Sequence, residues 1–151
     1  MLALSPVLRD FIRSEAEKDY PGECCGLILG TVSTTPEKGN PLRFAKTGLR
    51  IAPVRNARVG EDKRRRFSIE PRDFMRAEKE GAALGLEVVG IYHSHPDHPA
   101  IPSPRDLERA LPFYSYAIVS VAGKKAAEFT NWILMDDRSA FEPEPLEFKE
   151  P

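Results

Sequence analysis

The sequence predicts an α/β protein, a mixed β-sheet with helices packed against it. Three observations carry that expectation. Apolar residues recur at helical spacing near the N-terminus and again after Pro71. CCGLILG and LEVVGIY are short apolar runs of the kind that form buried strands. Helix-like and strand-like segments alternate irregularly, which favours a mixed sheet. The 151 residues match one-domain length, so positions 1–151 are expected to share a single core.

Each element has a local signal. Ser5 is a candidate N-cap and Pro6 suits the first helical position, opening a helix with Leu8, Phe11, Ile12 and Ala16 on its inner face. That helix should end before Pro21-Gly22. CCGLILG follows as a buried strand closed by Gly30. Thr31 to Pro41 holds Pro, Gly, Asn, Ser and Thr and is expected as a turn or hairpin loop. Leu42 to Val54 is strand-like, Asn56 to Arg66 is a charged surface loop, and Phe67-Ser68-Ile69 is a brief extended piece.

Pro71 begins a second helix, with Phe74, Met75, Ala77, Ala82 and Leu84 available for burial and Gly85 as its stop. Leu86 to Tyr92 is a β-branched buried strand. A loop rich in Pro and His leads to a third helix from Ser103-Pro104, ending before Pro112. Tyr114 to Val121 and Ala127 to Met135 make two more strands around Gly123-Lys124. Two prolines restrict Phe141 to Phe148 to an edge strand.

Composition narrows the function. Lys and Arg number 22 against 23 Asp and Glu, a net charge of −1 that argues against bulk electrostatic nucleic-acid binding. Hydrophobic residues at 41% with 30% charged describe a soluble globular chain. No run approaches the ~18 apolar residues of a membrane helix. The first residues lack the basic region of a signal peptide, and adjacent Cys24 and Cys25 cannot form an ordinary disulfide. A cytoplasmic location is expected.

All three histidines, His93, His95 and His98, lie in IYHSHPDHPAIPSPRD. A strand sends residues i and i+2 to one face, so His93 and His95 could address one ion. Asp106, eleven residues beyond His95, could close a His-His-Asp zinc site with the fourth position open to water. Simpler readings stand beside this one. Ser103 and Asp106 fit a capping box, Glu23 fits a solvated acid at a helix–strand junction, and the cysteines fit small buried hydrophobes.

Glu23, then His93-Ser94-His95-Pro96, then Ser103-x-x-Asp106 resembles the motif of the JAMM (MPN-plus) metallopeptidases, a glutamate upstream of H-[ST]-H-P and S-x-x-D. ECCGLILG, Asn56 to Ile69, VVGIYHSHP and YAIVSV extend the likeness across roughly Leu8 to Leu134. The resemblance implies a cytidine deaminase-like mixed sheet flanked by helices. It implies zinc on His93, His95 and Asp106, Glu23 as general acid/base, and Ser103 as a hydrogen-bond donor to the oxyanion. His98 matches no position of the motif.

The small prokaryotic branch that this chain resembles implies hydrolysis after the C-terminal Gly-Gly of a ubiquitin-like or sulfur-carrier protein, releasing an amino acid such as cysteine or trimming the tail. A non-catalytic MPN-type module that binds such a partner is the alternative, and zinc content separates the two. Whether the chain pairs as a homodimer is left open. Lys63-Arg64-Arg65-Arg66 fits a solvated loop beside Glu61 and Asp62, or a dock for an acidic carrier face. A related family associated with DNA repair shares part of the motif, but it carries Gly where this chain has Asp97-His98, and the charge balance also disfavours nucleic acid.

Overall fold

Proline and capping residues start the helices where the sequence expects them. In the computed structural model, which describes residues 1–151, helix α1 spans Pro6–Asp19 and Ser5 Oγ accepts the Leu8 N–H at 3.2 Å. Ile12 and Ala16 are buried and Leu8 packs beside them, one line along the helix at four-residue spacing. Phe11, expected on that face, is 41% exposed because it sits about 100° around the helix from Ile12. Helix α2 spans Pro71–Ala83, and Gly85 follows with φ +73°, which a side chain would resist. Its inward line is Phe74, Ala77 and Gly81. Met75, Ala82 and Leu84 are exposed, which corrects the wider face expected for it. Helix α3 is the short segment Pro104–Arg109.

Eight strands form one sheet: β1 (Leu2–Leu4), β2 (Cys25–Glu37), β3 (Asn40–Val54), β4 (Glu87–Pro96), β5 (Ser115–Ala122), β6 (Lys125–Leu134), β7 (Phe141–Pro143) and β8 (Leu146–Phe148). Their order is β7-β6-β5-β4-β2-β3-β1-β8. β4 runs parallel to β5, β1 runs parallel to β3 and β8, and the other pairs are antiparallel. The sheet is therefore mixed, as expected.

Three segments differ from the expectation. Thr31 to Pro41 does contain the expected hairpin turn, but the turn is only Lys38-Gly39, since β2 continues to Glu37, which pairs with Asn40. This ribbon is largely exposed, so no apolar alternation marks it in the sequence. Phe67 to Ile69 stays outside the sheet, although Ser68 O accepts the Ala57 N–H at 2.9 Å. The tail is not one edge strand. It divides at Glu144-Pro145 into β7 and β8, at opposite ends of the strand order. Two residues join the two ends, so the sheet must curl until its edges meet.

Burial follows from this layering. Ile12 and Ala16 pack with Leu2, Leu4, Ile28 and Tyr92 on the α1 side. Ala77 packs with Leu27, Leu29, Ile91 and Tyr116 on the α2 side. Central β4 is buried from Val88 to Pro96, and its Ile91 side continues to His93 and His95.

Candidate functional site

The site begins where β4 ends. His93 and His95 are 1% exposed, so both imidazoles stand on the same face in a dry environment. Ser94, between them, points the other way and its Oγ accepts the Cys24 N–H at 2.8 Å. The Ser94 N–H in turn bonds Cys24 O at 3.1 Å. That pairing fixes β2 against β4 with Cys25 opposite His93, which places Glu23 next to the imidazoles although 70 residues separate it from His93 in the chain.

Glu23 is itself 3% exposed, so the reading of it as a solvated acid fails. Its backbone is clamped on both sides by the loop after β3: the Glu23 N–H bonds Lys63 O at 2.6 Å, and Asn56 Nδ2 donates to Glu23 O at 3.0 Å. Burial raises the Glu23 carboxyl to about 9, with the Asp106 charge adding to it.

Asp106 arrives from the first turn of α3. Ser103 Oγ accepts the Asp106 N–H at 3.1 Å and the Ser103 N–H donates to Asp106 Oδ2 at 2.8 Å, a complete capping box. The same carboxylate approaches the imidazoles, Oδ1 at 3.3 Å from His93 Nε2 and Oδ2 at 3.3 Å from His95 Nε2. Capping and clustering therefore coexist in one side chain. Burial alone would raise Asp106, but His93, His95 and the Ser103 N–H outweigh it and hold the carboxyl well below the usual carboxylate range.

The donor set fits a tetrahedral ion. Nε2 of His93 and Nε2 of His95 are 3.0 Å apart, and each lies 3.3 Å from a different oxygen of Asp106, Oδ1 for His93 and Oδ2 for His95, so the carboxylate closes the triangle with both of its oxygens. Ligand bonds of about 2.0–2.1 Å at tetrahedral angles require an edge of about 3.3 Å. His95 Nδ1 donates to Pro99 O at 2.8 Å, which leaves Nε2 with its lone pair toward the others. Burial lowers the His93 pKa, against the opposing charge of Asp106. Glu23 offers a carboxylate oxygen within 4.8 Å of both imidazole nitrogens, a separation that one bridging water spans.

Other side chains support the cluster. Phe67 stacks on His93 at 4.4 Å and the exposed His98 stacks on His95 at 4.2 Å. Asp97 accepts from Tyr20 Oη at 2.6 Å and from the Gly123 N–H at 2.9 Å, tying the end of β4 to the segment leading to Glu23. The contacts of Phe67 with His93, Asn56 with Glu23 and Asp97 with Gly123 join residues 26 or more positions apart, so no local pattern marks those three contacts in the sequence. Both cysteines are buried, and burial pushes the Cys24 thiol up to about 12 and Cys25 up as well, which disfavours the thiolate in both. A cleft of 220 Å³ opens beside His93 and Asp106, floored by Phe67, Phe74 and Tyr116.

Residues 5–134 match the family model of prokaryotic homologues of the JAB domain, Prok-JAB. The chain belongs to the Prok-JAB family. A relative from Haloferax volcanii, named desampylase, is 32% identical over 131 residues, covering 83% of this chain and 85% of its own. A probable TtuB-protein conjugate cleaving protease from Thermus thermophilus is 38% identical over 60 residues, 40% of each chain. A JAB1/MPN domain protein from Archaeoglobus fulgidus superposes with a TM-score of 0.55 at 18% identity, over 99% of this chain and 100% of that one, a likeness of fold alone. The curled mixed sheet with flanking helices is thus the Prok-JAB fold that the sequence resemblance implies. No helix is long and apolar enough to cross a membrane.

Proposed function

We propose that the chain is a zinc-dependent JAMM metallopeptidase. It hydrolyses an amide or isopeptide bond after the C-terminal Gly-Gly of a ubiquitin-like or sulfur-carrier protein. The observation that carries the reading is the buried triangle of two imidazole nitrogens and one carboxylate with the Glu23 carboxyl beside it. The relatives named desampylase and TtuB-protein conjugate cleaving protease support an isopeptidase acting on ubiquitin-like conjugates.

His93, His95 and Asp106 would hold the ion. A divalent cation bound there supplies charge that makes a hydrolytic water acidic near neutral pH. With a cation's charge beside it the Glu23 carboxyl would give up its proton, and as a carboxylate Glu23 would take one from water as the water oxygen adds to the carbonyl carbon. It then delivers the proton to the amine as the C–N bond breaks, a role worth about 10²–10⁴-fold. Ser103 Oγ spends a lone pair on the Asp106 N–H and keeps its own proton for the oxyanion, a contact worth about 10²–10³-fold. The products are the Gly-Gly carboxylate and the freed amine.

Mass spectrometry of a ubiquitin-like carrier bearing a Gly-Gly-Xaa tail, with and without chelator, tests the reading. Cleavage after Gly-Gly that stops on chelation supports it. A protein that holds no zinc and leaves every tail intact is instead a binding module.

A further inference from the structure

His93 and His95 must aim Nε2 at one point, and each has an aromatic ring lying against its face. Phe67 covers His93 at 4.4 Å with the planes 25° apart, and His98 covers His95 at 4.2 Å with the planes 22° apart. His98 matches no position of the peptidase motif and has no role in the chemistry above. Rotation about χ2, which is broad for histidine, swings Nε2 away from its target. The bond from His95 Nδ1 to Pro99 O, 2.8 Å, restrains one edge of the ring. A second ring stacked on its face restrains the remaining tilt.

An exposed side chain that samples several rotamers makes a poor brace, but His98 is tied down. Its Nδ1 donates to Pro96 O at 2.8 Å. The turn that carries it is fixed through Asp97, which sits at φ +58°, a conformation that Asp adopts more readily than most residues. The Asp97 N–H donates to Val121 O at 2.7 Å, and its carboxylate accepts from Tyr20 Oη and from the Gly123 N–H. Pro96 and Pro99 bracket the pair and fix φ on either side of it. The His98 ring is therefore held against His95 before any ion arrives. Because His98 is exposed, it adds little to the core, and its removal acts on the site more than on the fold.

We propose that His98 is a positioning residue for the metal site, a fixed plate that holds the His95 ring with Nε2 aimed at the ion. This rests on the metal-site reading above. His98 acts through ring stacking and is not a ligand. Its effect is preorganisation: the orientation of His95 is set by the Pro96–Pro99 turn and need not be paid for when the ion binds.

The test measures zinc affinity by competition with a chromogenic chelator for the full chain and for His98→Ala and His98→Phe, together with the urea midpoint of each zinc-free protein. His98→Ala should bind zinc about three- to tenfold more weakly, the range expected for a stacked ring pair, with its zinc-free midpoint close to wild type. His98→Phe keeps the plate and discards the ring nitrogens, and it should recover most of the affinity. Wild-type affinity in His98→Ala overturns the assignment and leaves the metal site standing. A His98→Phe protein as weak as His98→Ala also overturns it, because a plate alone would then be insufficient. A zinc-free midpoint that falls in His98→Ala makes the residue a part of the fold instead. A wild-type chain that takes up no zinc removes the metal reading and this proposal together.

Discussion

Glu23 and His95 lie within the same few ångströms, yet losing them should have separable effects. On the proposed reading, Glu23→Gln preserves shape and removes the proton acceptor while His93, His95 and Asp106 would still hold the ion. Zinc content should stay near one per chain, and turnover should fall by about 10²–10⁴-fold. His95→Ala breaks the triangle and should lose both zinc and turnover. Metal analysis beside a cleavage assay distinguishes them, and near-normal rates in Glu23→Gln would assign the base to another group. The spacing of His93 and His95 made their common face legible in the sequence, because strand alternation is local. The burial of Glu23 was not legible, because its carboxyl is covered by residues remote in sequence.

At the scale of elements, the segment between β3 and α2 has little regular structure beyond the 3-10 turn Gly60–Arg64, so it needs other ties. Asn56 supplies them. It donates to Glu23 O and Arg66 O and accepts from the N–H groups of Arg58 and Ser68. Asn56→Ala strips partners from four backbone groups and should destabilise the protein by about 2–4 kcal/mol, at about 1–3 kcal/mol for each group that stays buried and unpaired. Urea denaturation measures this, and a wild-type midpoint would show that the loop is held otherwise. The helices were legible because Ser5, Pro6, Pro71 and Ser103-Pro104 act on their own first turns. The extension of β2 and the exposure of Met75 and Leu84 were not, because exposure is decided by what packs opposite.

At the scale of the molecule, closure of the sheet rests on a buried ion pair. Lys46 Nζ lies 3.4 Å from Glu144 Oε2 and donates to Ser115 Oγ at 3.0 Å, while Asn131 Nδ2 donates to Glu144 Oε1 at 2.8 Å. Ser115 Oγ also donates to Glu144. Burial lowers the Lys46 pKa and the Glu144 charge opposes that; the Met1 ammonium also lies 3.4 Å from Glu144 Oε2, so Lys46 is the partner left stranded when Glu144 is lost. Glu144→Ala should cost about 3–5 kcal/mol. For a chain of this size that lowers Tm by about 6–20 °C. The double variant Lys46→Met, Glu144→Leu should recover most of the loss in calorimetry, because it leaves no lone charge inside. A single variant as stable as wild type would refute this account of the closure.

The sequence by itself determined the helix starts, the apolar strands and the shared face of His93 and His95, since each depends on residues within a few positions. It also carried the family motif in full. Only the tertiary structure decided that the tail divides to clasp both ends of the sheet and that Asn56 clamps Glu23. Those arrangements follow from the pairing of β2 with β4 and from the curl of the whole sheet. The energy of such pairing is summed over many burial contacts, and no single short stretch of chain encodes it.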